Sequence, residues 1–317
     1  MVNVVLVGNG VHSNKRIIPS LKNLEVVKSI SILDRNVKIE KQISETVKLL
    51  PYEELGESES KYDLGIVATP PYNHLQSYEL IANRCQTVLI EKPLTNNLET
   101  VLRKSIQKKL KKYELIEALM YFHHPLWKSI MNIVKNKDIV EINTRFSVPH
   151  LSEGSFRYSN SKGGGSLLDQ GIYPISFAQQ LINKKYEVKN IETYSEKGFE
   201  VDLSGKISLK IDNKINFEGS WGLGCEYSNF VNLKDLDGTI YEVDFFYSKP
   251  DFTNSKILIT KEGSKEEKKI GIHDQFQNMY LDAINKKFSV FEYSNFHNLK
   301  SRHILIDEVK KTFKLKY

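Results

Sequence analysis

At 317 residues, with 40% hydrophobic and 26% charged side chains, the chain is a globular protein long enough for two cores, since single cores rarely grow past about 250–300 residues. No apolar run approaches the roughly 18 residues that span a bilayer, and Met1-Val2-Asn3-Val4-Val5-Leu6-Val7 has neither the basic start nor the cleavage site of a secretory leader, so a cytoplasmic protein with no membrane partner is expected. Two cysteines, Cys85 and Cys225, exclude a disulfide framework and do not have zinc spacing, while a net charge of +6 raises nucleic acid or an anionic substrate as partners.

The first predicted element is a buried strand over 2–7, which runs into Gly8-Asn9-Gly10-Val11-His12-Ser13. Gly8 and Gly10 let the backbone turn tightly and approach a pyrophosphate, with Val11 and His12 opening the helix whose N-terminus faces it. Ser13 stands where the third fingerprint glycine is usual, which predicts slightly looser helix–strand packing. The helix is predicted over 11–24, with Pro19 kinking it or lying near an end. A second strand over 27–33 ends at Asp34, 21 positions after Ser13 and near the spacing of a ribose ligand. Asp34 repels a 2′-phosphate and favours NAD, whereas Arg35 can pair with the phosphate of NADP; the expectation is either dinucleotide, leaning to NAD.

Residues 37–49 read as a helix and 64–68 as a third strand. The latter leads into Ala68-Thr69-Pro70-Pro71-Tyr72-Asn73-His74, where the prolines force the chain out of the sheet. Thr69 and Pro70 fall at the carboxyl edge beside the dinucleotide, and Asn73 is suited to cap a helix over 73–84. His74 is either a plain first-turn histidine or faces the cofactor; spacing leaves both open. A strand over 88–90 then ends abruptly in Glu91-Lys92-Pro93, putting two opposite charges where open α/β sheets bind ligands. In the next predicted helix, 97–111, Lys104, Lys108, Lys109 and Lys111, with Lys112 just beyond, oppose Val101, Leu102 and Ile106. They form a wet face, and without an aromatic-interleaved basic stripe no nucleic-acid partner is expected. A strand over 115–120 closes a series that predicts a doubly wound parallel sheet, a Rossmann domain over 1–120.

From residue 141 the pattern changes to strands separated by turns: 187–196, 201–211, 215–221, 230–236, 239–246 and 256–261. Asp212-Asn213 and Asp237-Gly238 are hairpin signals. Helices are predicted over 166–182, 274–285 and 296–313. The expectation is an α+β domain over 121–317 with an open, mainly antiparallel sheet. His123-His124 has no acidic or cysteine partner at ligand spacing, so no metal is expected.

The strand-turn-helix with its two glycines, the Ala68-Thr69-Pro70…His74 segment, Glu91-Lys92-Pro93 and Gly163-Gly164-Gly165-Ser166-Leu167-Leu168-Asp169-Gln170-Gly171-Ile172-Tyr173 together resemble the glucose–fructose oxidoreductase/inositol dehydrogenase/MocA (Gfo/Idh/MocA) family. Tyr173 stands where many members carry histidine, a variant the family also uses. The resemblance implies hydride transfer between nicotinamide and a sugar carbon, Lys92 holding the carbonyl oxygen and Tyr173 donating the proton. A nearby ammonium lowers a phenol's pKa. It also implies that Glu91 fixes Lys92 and the nicotinamide ribose, and that Asp169, on one helix face with Tyr173, positions substrate hydroxyls or joins the proton relay.

Lys15 to Leu21, Phe122-His123-His124-Pro125, Phe156-Arg157-Tyr158, Glu226-Tyr227-Ser228-Asn229 and Phe246 to Pro250 are most similar to members that reduce keto groups on nucleotide-linked sugars. In that reading Arg157 pairs with a diphosphate, and Tyr227 and Asn229 bind sugar or phosphate oxygens. The alternatives are a dehydrogenase of free sugars or trans-dihydrodiols, and a non-catalytic dinucleotide-binding regulator. By resemblance, a homo-oligomer, dimer or tetramer, built through the second sheet is expected.

Overall fold

The computed structural model describes residues 1–57, 61–182, 185–250 and 252–313. Their contacts divide the chain into two units, Met1–Met120 with Gln275–Leu299, and Tyr121–Asp274 with the chain from Lys300 onward. By these contacts Gln275–Leu299, part of the stretch 121–317 expected as the second domain, groups with the first unit. Apolar side chains carry it back. Phe276 lies 5.6 Å from the His12 ring, Phe288 stacks on Tyr113 at 5.0 Å, and Leu299 joins the core of Val5, Val7, Ile90 and Val101.

In the first unit, β1 (Val2–Val7), β2 (Val27–Leu33), β3 (Lys41–Ser44), β4 (Val47–Leu50), β5 (Leu64–Val67), β6 (Val88–Glu91) and β7 (Leu115–Ala118) form one sheet, ordered β3-β4-β2-β1-β5-β6-β7. Every pair is parallel except β3–β4. Strand order reverses between β1 and β5, which opens a crevice at their carboxyl ends. The helices are α1 (Ile18–Lys22), α2 (Tyr52–Glu57), α3 (His74–Ile81), α4 (Leu98–Leu102) and α5 (Lys104–Lys111).

Three expectations change here. The helix over 37–49 is instead the β3–β4 pair. A helix there would have needed Ile39 and Ile43 on its apolar face, yet they are 74% and 60% exposed, whereas β4 buries Val47, Leu49 and Leu50 beside β2. The helix over 97–111 breaks at Arg103, whose backbone is extended. The helix over 11–24 becomes a π-helical turn, Ser13–Ile17, followed by α1, with Pro19 in the first turn where a missing N–H is tolerated. In α5, Ile106 and Leu110 face inward while Lys104, Lys108 and Lys111 face water, as the charge pattern predicts.

The second unit contains α6 (Pro125–Asn136), β8 (Ile139–Val148), a π-helical turn over Leu167–Gly171 and α7 (Ile172–Leu181). It continues through β9 (Tyr186–Tyr194), β10 (Ser204–Ile211), β11 (Ile215–Leu223), β12 (Ser228–Asp235), β13 (Ile240–Asp244), β14 (Asn254–Lys261) and β15 (Ser264–Ile272). After these come α8 (Gln275–Ile284), in the first unit, and α9 (Phe296–Thr312). The second sheet runs β15-β14-β13-β12-β8-β11-β10-β9 and is antiparallel except between β8 and β11. Asp212 and Asn213, at φ of 49° and 55°, make the tight β10–β11 hairpin turn that their identity signals. Helix α6 and strands β8 and β15 were not among the predicted elements; β15 reads Ser-Lys-Glu-Glu-Lys-Lys, an exposed charged edge held by pairing with β14 and not by apolar alternation. Among the described residues no helix is long and apolar enough to cross a membrane.

The helix leading to Tyr173 starts without a capping side chain of its own. Asp202, far along the chain, does that work: its Oδ2 accepts from Ser166 Oγ at 2.5 Å and from the Leu167 N–H at 2.6 Å. Burial raises the Asp202 carboxyl, and these two donors pull it back. Asp202→Ala should lower unfolding free energy by about 1–3 kcal/mol, with Asp202→Asn milder; urea denaturation measures both.

Burial, reinforced by nearby cations, pushes His124 and His303 down to about 3. The unfolded chain takes up these protons near pH 6.5, whereas the folded chain resists them. Their contribution is thus complete above about pH 7 and is lost as the pH falls through 6. By pH 5 the loss should reach on the order of 2 kcal/mol per histidine, read as a drop in the urea midpoint that is smaller in His303→Leu.

Candidate active site

In the first unit the glycine turn sits at the carboxyl end of β1. Gly8 has φ of +110°, and a Cβ there would lie 2.8 Å from the Ala68 carbonyl oxygen, so β1 and the chain leaving β5 pass too closely for any side chain. Gly10 is different: a Cβ there would meet nothing within 4 Å, and Val11 beside it is 72% exposed. This open stretch of backbone at a helix start fits a pyrophosphate. Ser13 stands where the third glycine is usual. It is fully buried and its hydroxyl donates to the Gly8 carbonyl at 2.8 Å, tying helix to turn.

At the end of β2, Asp34 Oδ1 accepts from the Asn36 N–H at 2.9 Å, which commits one carboxylate oxygen to its own turn, and Arg35 beside it is exposed. Beyond β5, Thr69 Oγ1 pairs with Ser77 Oγ at 3.1 Å, and the Pro70 carbonyl accepts from the Asn73 N–H at 2.9 Å. Asn73 makes no side-chain cap; its amide reaches Ser77 Oγ at 3.4 Å. His74 is buried, with Nδ1 at 2.8 Å from the Pro93 carbonyl oxygen and Nε2 at 2.7 Å from that of Thr69. Each ring nitrogen faces a backbone carbonyl oxygen, and a neutral ring donates to one of the two, so His74 ties together the loops after β5 and β6. Burial lowers its pKa against the pull of those carbonyls.

At the end of β6, Glu91 Oε1 lies 3.2 Å from His12 Nε2, joining the glycine turn to the Glu91-Lys92 strand end. Burial pushes the Glu91 carboxyl up, but His12, then Lys92 and His74, more than offset it and hold it below the usual carboxylate value. Gly8, Gly10, His12, Thr69 and Glu91 therefore share the carboxyl edge of β1, β5 and β6, with Lys92 following directly.

In the second unit the three glycines serve the protein's own backbone. Gly163 is left-handed at φ of 73°, Gly164 backs onto Arg157, where a Cβ would lie 2.5 Å from the carbonyl oxygen, and the Gly165 N–H donates to that oxygen at 2.8 Å. The close approach that these glycines permit is made to the Phe156-Arg157-Tyr158 turn. It delivers Arg157 Nε to Asp169 Oδ2 at 2.5 Å, an oxygen that also accepts from Gln170 Nε2 at 2.7 Å. Asp169 lies in the π-helical turn and Tyr173 in α7, so the simple four-residue α-helical facing does not apply to them. π-Turns of this kind are frequent at functional sites.

Tyr173 is buried among aromatic rings, 4.8 Å from Phe146, 5.4 Å from Tyr247 and 6.0 Å from Tyr121. Tyr121 and Tyr247 are themselves tied, through Ser176 Oγ and Thr144 Oγ1 at 2.9 and 2.7 Å. Asn229 does not offer its amide outward as expected. Its Nδ2 donates to the Ser248 carbonyl at 2.5 Å and to Tyr227 Oη at 3.2 Å, and its Oδ1 accepts from the Tyr247 N–H at 2.9 Å. It therefore holds the Tyr247-Ser248 segment, while Tyr227 remains partly exposed against Phe245. Of the His123-His124 pair, His124 caps α6, its Nδ1 accepting from the Leu126 N–H at 3.1 Å. Among the described residues no three His, Cys, Asp or Glu side chains gather as metal ligands. Sequence reasoning missed Asp202 and Glu117; neither stands in a motif or at a diagnostic spacing.

A family model for the "Oxidoreductase family, NAD-binding Rossmann fold" matches residues 2–123, and one for the "GFO/IDH/MocA C-terminal domain" matches 138–241. A dTDP-3,4-didehydro-2,6-dideoxy-alpha-D-glucose 3-reductase of Saccharopolyspora spinosa is 24% identical over 86% of this chain and 84% of its own. The enzyme of that name from Actinomadura kijaniata is 24% identical over 68% of this chain; the match spans just under two thirds, 65%, of that relative's length. Among solved structures, KijD10, a 3-ketoreductase from Actinomadura kijaniata in complex with NADP and TDP-benzene, superposes with a TM-score of 0.83 at 19% identity, covering 98% of this chain and 97% of that one. An aldose-aldose oxidoreductase from Caulobacter crescentus gives 0.79 at 14%, covering 98% and 97%. At such identities these structures establish the fold alone. The two family models together match most of the chain, one on each side of the change from parallel to mainly antiparallel sheet, and the chain belongs to the Gfo/Idh/MocA family of NAD-binding oxidoreductases.

Proposed function

We propose that the chain is an NAD(P)-dependent ketoreductase or dehydrogenase of a nucleotide-linked sugar. The observation that carries this reading is the 3.2 Å contact between His12 and Glu91, which joins the dinucleotide turn to the strand end bearing Lys92. When bound, the reduced dinucleotide supplies the hydride. Lys92 holds the sugar carbonyl oxygen, and its charge stabilises that oxygen increasingly as negative charge develops. Glu91, held below the usual carboxylate value by His12 and Lys92, accepts from the nicotinamide ribose. Tyr173 gives its proton to the alkoxide.

Asp169 takes a narrower role than a proton relay. Its bonds to Arg157 and Gln170 make it the group that orients the guanidinium, and Arg157 in turn pairs with the sugar nucleotide's diphosphate. The substrate class is a nucleoside-diphosphate sugar bearing a ketone, supported by the 3-reductases of dTDP-sugars among the relatives. The lean to NAD gives way to NADP(H): Asp34 spends one oxygen on Asn36, and exposed Arg35 is available to a 2′-phosphate.

Two measurements test this. In thermal denaturation, NADPH and dTDP should each raise Tm, NADPH more than NADH; near 100 times Kd the stabilisation is about 2.7 kcal/mol. A shift with free hexoses and none with dTDP would point to a free-sugar enzyme. Lys92→Ala should lower kcat on the order of 10³-fold with NADPH affinity nearly unchanged; turnover near wild type would overturn the assignment.

A further inference from the structure

The peptide unit just after Lys92-Pro93 is gripped at both of its polar ends. The Pro93 carbonyl oxygen lies 2.8 Å from His74 Nδ1, and the Leu94 N–H donates to Glu117 Oε1 at 2.8 Å. That C=O and N–H belong to one planar group. Holding both stops the plane from rotating and so fixes the direction in which the preceding lysine leaves β6. Neither grip is local, since His74 opens α3 and Glu117 lies on β7.

Both gripping residues are placed by a further contact, Glu117 through its backbone. His74 Nε2 rests on the Thr69 carbonyl at 2.7 Å, and the backbone N–H of Glu117 donates to Ser294 Oγ at 2.6 Å. They are 1% and 0% exposed. A carboxylate buried on a parallel strand is expensive, and the neighbouring β7 residues Leu115, Ile116 and Ala118 are apolar, as such strands normally are. Packing alone gives no reason for a glutamate there, whereas an acceptor for the Leu94 N–H does.

We infer that His74 and Glu117 are positioning residues that clamp the Pro93–Leu94 peptide and thereby aim the Lys92 ammonium. The inference rests on the proposed action of Lys92 on the substrate carbonyl. Neither residue needs to touch substrate; each acts through a backbone plane. A misplacement of about 1 Å at a reacting centre costs on the order of 10²-fold in rate, so loosening the plane should show in kcat and spare ground-state binding of the dinucleotide.

The test compares Glu117→Leu, which removes the acceptor at similar volume, with Glu117→Gln, which keeps an oxygen for the Leu94 N–H. Turnover is assayed with NADPH and a dTDP-linked 3-keto-deoxyhexose, and hydrogen exchange is followed at the Leu94 amide. In Glu117→Leu, exchange should quicken at least about tenfold and kcat should fall about 10–100-fold, with KM for NADPH within about threefold. Glu117→Gln should restore both readouts to within about threefold of wild type. His74→Phe should repeat the kcat loss through the other end of the plane, and carries the comparison if Glu117→Leu does not fold. Unchanged kcat in Glu117→Leu and His74→Phe beside an inactive Lys92→Ala would overturn the clamp and leave the lysine's role standing. An active Lys92→Ala would overturn that role, and the clamp's part in turnover with it. A parallel loss of NADPH affinity in Glu117→Leu would also overturn the clamp, placing Glu117 in cofactor binding instead.

Discussion

A parallel strand covered on both faces carries charge at low cost only where it leaves the sheet, and the first unit is organised around that constraint at the end of β6. Glu117, inside β7, is the exception, and it accepts from the Leu94 N–H. Val88, Leu89 and Ile90 are buried without remainder, and Glu91 and Lys92 come at the first position where water and neighbouring loops can solvate them. The ends of β1 and β5 lie alongside, because β1 pairs with β5 and β5 with β6. The glycine turn therefore meets the charged strand end as a consequence of strand order, and the His12–Glu91 contact is its local expression.

What surrounds that strand end is mainly backbone held by buried polar side chains. Ser13 holds the Gly8 carbonyl, His74 sits between the Thr69 and Pro93 carbonyls, and Glu117 holds Leu94. Each such group must be bonded to be tolerated inside, so each also fixes a loop. The second unit repeats the device, with Asp202 on the start of the Tyr173 helix and Asn229 on the Tyr247-Ser248 segment. Rigid loops around reacting groups follow from satisfying buried polar atoms.

Legibility in the sequence tracked how local the physics was. The strand-ending glycines, the Asp212-Asn213 hairpin and the wet lysine face of α5 were readable because each depends on a few adjacent residues and a fixed period. The β3–β4 pair was misread because Val37, Ile39, Ile43 and Val47 suit a helix as well as strands, and only β2 alongside decides between them. Asn229 was read as a ligand contact and His74 as either that or a plain first-turn histidine, since a polar residue beside a motif looks the same whether it faces a ligand or a backbone carbonyl. Edge strand β15 carries almost no apolar signal at all.

By itself the sequence determined the alternation of buried strands and helices, the open backbone at Gly10, and the presence of Glu91, Lys92, Asp169 and Tyr173 beside turns that keep them near loops. Those properties are set by side-chain chemistry and by periods of 2 and 3.6 residues. Only the tertiary structure decided that Arg157 closes on Asp169, that Asp202 caps a helix from a distant segment, that Gln275–Leu299 returns to the first unit, and that one peptide plane is held from β7 and α3 together. Such pairings are chosen by which segments the packing brings within about 3 Å of one another, and no period in the chain encodes that distance.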